Sequence, residues 1–220
     1  RNLHSTAALE GLGVKVINCL NTGVFAGNKL FTHMLLKKFG VPTPDATVAF
    51  SKDAALEALE REGFPKVIKP TVGSWGRLIS KLNDVDAAEG IIESRENMYP
   101  IYQIHYLEEF VKRPPRDIRA IMVGDKIVAA IYRISKHWKT NMALGGVAEP
   151  CPVTQEMEEM CIKAKDAVQG DIVGVDLMES EEKGLVVHEV NNTTEYKNTV
   201  RVCDVDIPSL MLDYAMKVER

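Results

Sequence analysis

The sequence predicts an α+β protein built as two α/β lobes around a connecting strand, and three patterns carry that expectation. Between residues 46 and 111, amphipathic helical stripes alternate with short apolar runs. Residues 117–135, "DIRAIMVGDKIVAAIYRIS", read as a hairpin, because Val123, Gly124, Asp125 and Lys126 supply turn chemistry between two apolar runs. Downstream, "IVGVDLMES" and "GLVVHEVN" are two strand patterns separated only by a charged turn.

Taken in order, "STAALEGLG" reads as a short helix and glycine turn leading into "VKVIN", a buried strand. This stretch, 1–20, is expected to be the tail of a preceding α/β unit, since the chain opens without a Met and reads as starting partway through a longer protein. A connecting helix is expected within 21–45: "NKLFTHMLLKKFG" has apolar residues at 31, 34, 35 and 39, near one stripe, and closes on Gly40. In the central lobe, 46–111, "TVAFS" is a strand and Ser51 caps the helix "KDAALEALERE", which Gly63 stops. "KVIKP" is the next strand, a glycine loop follows, and "RLISKL" is its partner. "DVDAAEGIIESRE" is a second helix, and "IYQIHYLEEFV" a strand rich in β-formers. The C-terminal lobe, 112–220, contains the hairpin, an irregular "KHWKTNMALGGVAEP", and a helix from Thr154 with Met157, Met160, Cys161, Ala164 and Val168 on one stripe. The last helix places Ile207, Leu210, Met211 and Val218 on one face.

Composition narrows the function. With 220 residues, 45% apolar and 26% charged, the chain can bury one good core or two smaller ones. A net charge of −4 argues against a broad nucleic-acid footprint, and no apolar run reaches membrane length. The four cysteines (Cys19, Cys151, Cys161, Cys203) are scattered without Cys-x-x-Cys or zinc spacing, which reads as buried thiols in a reducing cytosol.

Three constellations carry chemistry. Lys69 closes an apolar strand just before "PTVGSWG", where an ammonium can meet phosphate. The loop matches neither the P-loop nor the dinucleotide fingerprint, so from the residues alone it is either a tight turn or an anion cradle of glycine-freed N–H groups. Asp176 lies inside one strand, and Glu189 and Asn191 sit two apart at the end of the next, on one face. That all-oxygen set favours magnesium over zinc. Third, "LEEFV" can offer adenine a backbone edge in an apolar slot, with Asp117 placed for ribose hydroxyls, although an ordinary strand with exposed acids reads the same way. The five histidines form no nucleophile pair and read as structural or exposed.

The series Lys29, Lys69 with its glycine loop, "EEFV", "RDIR", Asp176, Glu189 and Asn191 resembles, in order, the RimK-like branch of the ATP-grasp ligases. Within it, "KPTVGSWGRL", "RPPRDIR", "AAIYRISKHWKTN", "GGVAEPCPVT" and "HEVNNTTEYKN" resemble the α-aminoadipate–carrier-protein ligases of lysine biosynthesis over essentially the whole chain. The resemblance implies an ATP-grasp fold with the nucleotide between the central and C-terminal lobes. Lys29 and Lys69 would meet phosphates beneath a flap containing Gly73, Ser74, Trp75 and Gly76, with Trp75 helping to exclude water. Glu108, Glu109, Phe110 and Val111 would line the adenine site, and Asp117 would take the ribose. Asp176, Glu189 and Asn191 would hold two magnesium ions, with Arg119 and Arg133 serving the transferred phosphate. Arg133, Asn141, Asn192, Thr193, Thr194 and Glu195 would border the amino-acid site. The implied reaction joins the amino group of α-aminoadipate, through an acyl phosphate made with ATP, to the C-terminal Glu of a small acidic carrier protein. The alternatives are a ligase of the same mechanism acting on glutamate or on a protein tail, and a silent nucleotide-binding module, against which intact Asp176, Glu189 and Asn191 argue. A cytoplasmic homodimer or homotetramer, with no nucleic-acid or membrane partner, is expected. One departure is Asn28, where such ligases usually carry Asp before the first lysine.

Overall fold

The computed structural model describes residues 2–73, 76–140 and 146–218. The chain divides into two units, one formed by Arg1–Gly27, Phe31–Thr43 and Arg113–Arg220, the other by Asn28–Leu30 and Pro44–Lys112.

The smaller unit is a four-stranded antiparallel sheet with two helices on one face. In chain order it contains β1 (Ala46–Ala49), β2 (Lys66–Lys69), β3 (Ser80–Leu82) and β4 (His105–Glu109), arranged β1-β4-β2-β3. The helices α4 (Lys52–Glu62) and α5 (Val85–Glu96) start at side-chain caps, Ser51 accepting from the Ala54 N–H and Asp84 from the Ala87 N–H. Their Ala55, Leu59, Ala88 and Ile92 pack on Ile68, Leu82 and Leu107 of the sheet. Because strand side chains alternate, Lys69, Tyr106 and Glu108 point to the opposite face.

The larger unit is a five-stranded antiparallel sheet ordered β7-β6-β5-β8-β9, from β5 (Arg116–Val123), β6 (Lys126–Ile134), β7 (Val147–Pro150), β8 (Ile172–Ser180) and β9 (Gly184–Asn191). α6 (Gln155–Ala167), capped by Thr154, lays Met157, Cys161 and Ala164 on Ile118, Ala120, Val173, Val175, Leu177 and Val190. On the other face, Ile121 and Ala129 pack with Ile207 of α8 (Ile207–Val218), which follows α7 (Lys197–Cys203). The remaining helices are α1 (Asn2–Gly11), α2 (Leu20–Ala26) and α3 (Lys29–Lys38). All four cysteines are free thiols. Among the described residues no helix is long and apolar enough to cross a membrane.

Three expectations need correction. "VKVIN" is not a strand: β-branched residues become one only when paired, no strand among the described residues is paired with 14–18, and Val14 is exposed. The stretch read as irregular yields β7, whose short pattern is hidden behind Gly146. A separate helix, α2, precedes the connecting helix, masked in the sequence by Gly23 and Thr22.

Candidate functional site

In the larger unit, register alone builds a polar row. Asp117 pairs across the sheet with Arg133, Arg119 with Asp176, and Asp176 with Glu189. Directly paired residues share a face, so these five side chains and Asn191 lie on the face opposite α6. A register shift between Asp176 and Leu177 leaves His188 as the extra residue of β9, which keeps Glu189 and Val190 on their proper faces.

The charges in that row are interlocked. Arg133 forks onto Asp117, with Nε donating to Oδ1 at 2.6 Å and Nη2 to Oδ2 at 2.8 Å, and its Nη2 lies 3.1 Å from Asp176 Oδ2. The Thr140 hydroxyl also donates to Asp117. Arg119 forks onto Asp176, its Nη2 donating at 3.0 Å, and its Nη1 reaches Thr194 Oγ1 at 3.4 Å. Burial by itself would raise the Asp176 pKa, but Arg119 and then Arg133 outweigh it and hold the carboxyl down to about 2. Burial opposes the charge on Arg133, yet Asp176 and Asp117 together push its pKa up. The row thus brings three carboxylates and two guanidiniums onto one face of the sheet.

This donor set fits magnesium in chemistry. Asp176, Glu189 and Asn191 offer only oxygens on one face, and the Asn191 Nδ2, 3.5 Å from Asp176 Oδ2, leaves the amide oxygen for a cation. Among the described residues no three His, Cys, Asp or Glu side chains converge as a metal cluster. Asp176 is shared with the two arginines.

In the smaller unit, Lys69 and Glu108 form a buried ion pair, each side chain about 5% exposed or less (4% and 5%), with the Tyr106 hydroxyl 3.4 Å from the second carboxylate oxygen. Lys29 ties the start of α3 to the glycine loop: its backbone N–H donates to Thr71 O at 2.7 Å and its Nζ to Gly73 O at 3.0 Å. Lys81 lies over the Phe110 ring at 3.8 Å.

The sequence-expected residues therefore fall into two groups. Arg119, Arg133, Asp117, Asp176, Glu189, Asn191 and Thr194 meet in the larger unit, and Lys29, Lys69, Gly73, Glu108 and Phe110 lie together or nearby in the smaller. Glu109 pairs with the Asp45 backbone, both its own N–H and its side chain bonding there. Val111 is half-buried, Gly76 takes a φ of 66°, and Asn192, Thr193 and Glu195 follow β9 directly. Ser74, Trp75 and Asn141 lie outside the described residues. Sequence reasoning missed Thr140, a lone threonine in an irregular stretch, and Gly174. A Cβ on Gly174 would sit 2.1 Å from Thr194 Oγ1, so the absence of a side chain there admits Thr194 to the row.

Comparison with known proteins gives this geometry a context. A family model described as a RimK-like ATP-grasp domain matches residues 26–215. An α-aminoadipate–LysW ligase, LysX, of Sulfurisphaera tokodaii is 40% identical over 216 residues, covering 96% of this chain and 75% of the relative. A glutamate–LysW ligase, ArgX, of Sulfolobus acidocaldarius is 36% identical over 97% of this chain and 77% of its own length. A tetrahydromethanopterin:α-L-glutamate ligase of Methanococcus maripaludis is 34% identical over 92% of this chain and 70% of its own. Among solved structures, the fold matches a RimK-domain ATP-grasp protein from Sphaerobacter thermophilus with a TM-score of 0.76 at 18% identity, covering 98% of this chain and 76% of that one. A D-alanine–D-alanine ligase from Bacillus anthracis matches with a TM-score of 0.75 at 18% identity, covering 97% of this chain and 75% of that one.

Proposed function

The chain belongs to the RimK-like ATP-grasp family and is an ATP-dependent carboxylate–amine ligase, and from this premise we propose that it joins the amino group of α-aminoadipate to the C-terminal glutamate of a small acidic carrier protein. The observation that carries the reading is the 40% identity to an α-aminoadipate–LysW ligase across 96% of the chain. In the proposed reaction the carrier carboxylate attacks the γ-phosphorus of ATP, giving an acyl phosphate and ADP. The amine then attacks the acyl carbon, phosphate leaves, and the amine's proton is lost to solvent.

Positioning and charge neutralisation supply the catalysis. Magnesium, when bound, would neutralise the phosphate oxygens, and Asp176, Glu189 and Asn191 would hold it as two ions. Arg119 and Arg133 keep their guanidiniums in fixed planes because each is forked onto an aspartate, which places rigid N–H donors on the row. Asp117 orients Arg133, and Thr140 donates to the same carboxylate. Lys69 and Lys29 would meet the nucleotide phosphates, with Gly73 and Gly76 in the covering loop.

A second reading, glutamate as the amino acid, is favoured by the 36% identity to the glutamate–LysW ligase. ADP release discriminates between them. The first reading expects ADP only when α-aminoadipate and the carrier are both present. ADP with glutamate and carrier, and none with α-aminoadipate, would establish the second.

A further inference from the structure

Asn18, between α1 and α2, uses all four hydrogen-bonding positions of its amide. Its Oδ1 accepts from the N–H groups of Asp171 at 2.9 Å and Ile172 at 2.8 Å. Its Nδ2 donates to Ile172 O at 2.6 Å and Asn192 O at 2.8 Å. These contacts fall at one end of the β8–β9 ladder, whose outermost pair is Gly174–Asn191. Two residues beyond Gly174, Ile172 gives both its backbone groups to the Asn18 side chain and none to β9. One side-chain amide thus replaces the next rung. The chain after Asn191 is released from the sheet, yet stays tethered at Asn192.

The released segment turns back over the polar row. Thr194 lies above Gly174, in space that a Cβ would fill, and its hydroxyl is 3.4 Å from Arg119 Nη1. The segment is therefore held at two points: Asn18 fixes Asn192, and the bare backbone of Gly174 admits Thr194. We propose that Asn18 is a positioning residue for amino-acid recognition, setting the segment Asn192–Glu195 over the Arg119–Asp176 pair so that it selects the incoming amino acid. The proposal rests on the amino-acid ligation argued above. Asn18 touches neither reactant and acts only through the segment.

The test uses the full-length protein with two substitutions at the two ends of the tether. Asn18→Asp keeps the shape and both acceptor bonds but loses the donations to Ile172 and Asn192. Gly174→Ala leaves Asn18 intact and displaces Thr194. Hydrogen–deuterium exchange of peptides spanning 190–197 reads position without requiring turnover, and steady-state kinetics reads recognition. Both variants are expected to exchange faster in 190–197 while β6 peptides stay unchanged. The KM for the amino acid is expected to rise roughly tenfold or more, with the KM for MgATP within about twofold, since two lost hydrogen bonds are worth about one decade or more of affinity. Unchanged exchange at 190–197 in Asn18→Asp overturns the proposal, as does a parallel rise in both KM values, which marks a merely structural asparagine. If the wild-type protein ligates no amino acid at all, the proposed reaction fails instead, and the exchange data still decide whether Asn18 positions the segment.

Discussion

At the scale of single residues, the buried Lys69–Glu108 pair separates stability from function. Each ion is almost fully removed from water, so either one without the other is a buried, poorly compensated charge. Lys69→Met should lower the free energy of unfolding in urea by about 3 kcal/mol or more, the range seen when one partner of a buried pair is removed. Adding Glu108→Leu should recover much of that loss, because a well-packed apolar pair often matches a buried ion pair. Nucleotide binding, followed by titration calorimetry, should stay impaired in both variants if Lys69 meets phosphate. Recovery of binding along with stability would remove Lys69 from the site. The same logic explains why Asp176 can sit buried beside two arginines: its charge is what makes their burial tolerable. That coupling could not be read from the sequence, since Arg119 and Asp176 are 57 positions apart and only the strand register makes them neighbours. That Glu189 and Asn191 share a face was legible, because period-two alternation puts residues two apart on one face whatever the partner strand is, whereas Asp176 joins them only through the register.

At the scale of elements, the β5–β6 turn shows why some glycines are not replaceable. Gly124 has a φ of 58°, which disfavours any side chain, and a Cβ there would come within 2.6 Å of the Tyr214 ring of α8. Tyr214 is itself fixed by donating its hydroxyl to Asp171 Oδ1 at 2.5 Å, so the ring has little room to yield. Gly124→Ala should therefore cost about 1–3 kcal/mol of stability from strain and overpacking. In a Tyr214→Leu background the same change should cost measurably less, which a double-mutant cycle of urea unfolding would detect. Equal costs in both backgrounds would leave backbone strain as the whole effect. Caps and stripes made most elements readable: Ser51, Asp84 and Thr154 each begin a helix by accepting an N–H three residues on. The misread elements are those whose state depends on a neighbour. "VKVIN" has strand composition, yet Asn18 at its end spends its side chain on β8 and the segment after β9. A lone asparagine in a loop carries no pattern, so its place in the site was invisible until the ladder ends were seen.

For the whole molecule, the order of motifs along the chain pointed to the family before any geometry, whereas the choice of amino acid depends on quantities no motif encodes. α-Aminoadipate and glutamate differ by one methylene, and an apolar pocket distinguishes one methylene by only about 10–200-fold. A larger ratio requires a buried polar group that the wrong substrate leaves unpaired, and the shorter glutamate carries the same carboxylates and amine as its homologue. What changes is reach: the distal carboxylate of glutamate falls short of a donor placed for α-aminoadipate. A ligase of the proposed kind should accordingly prefer α-aminoadipate in direct competition, with product ratios at equal substrate concentrations of roughly 10 to 200 by mass spectrometry of the modified carrier. Loosening the segment Asn192–Glu195 should compress that ratio toward one, since a donor that wanders by an ångström serves both lengths. A ratio near one in the wild-type protein would mean a dual-specificity ligase. A ratio below one would make glutamate the substrate, and the tether at Asn192 would then position a donor for the shorter chain.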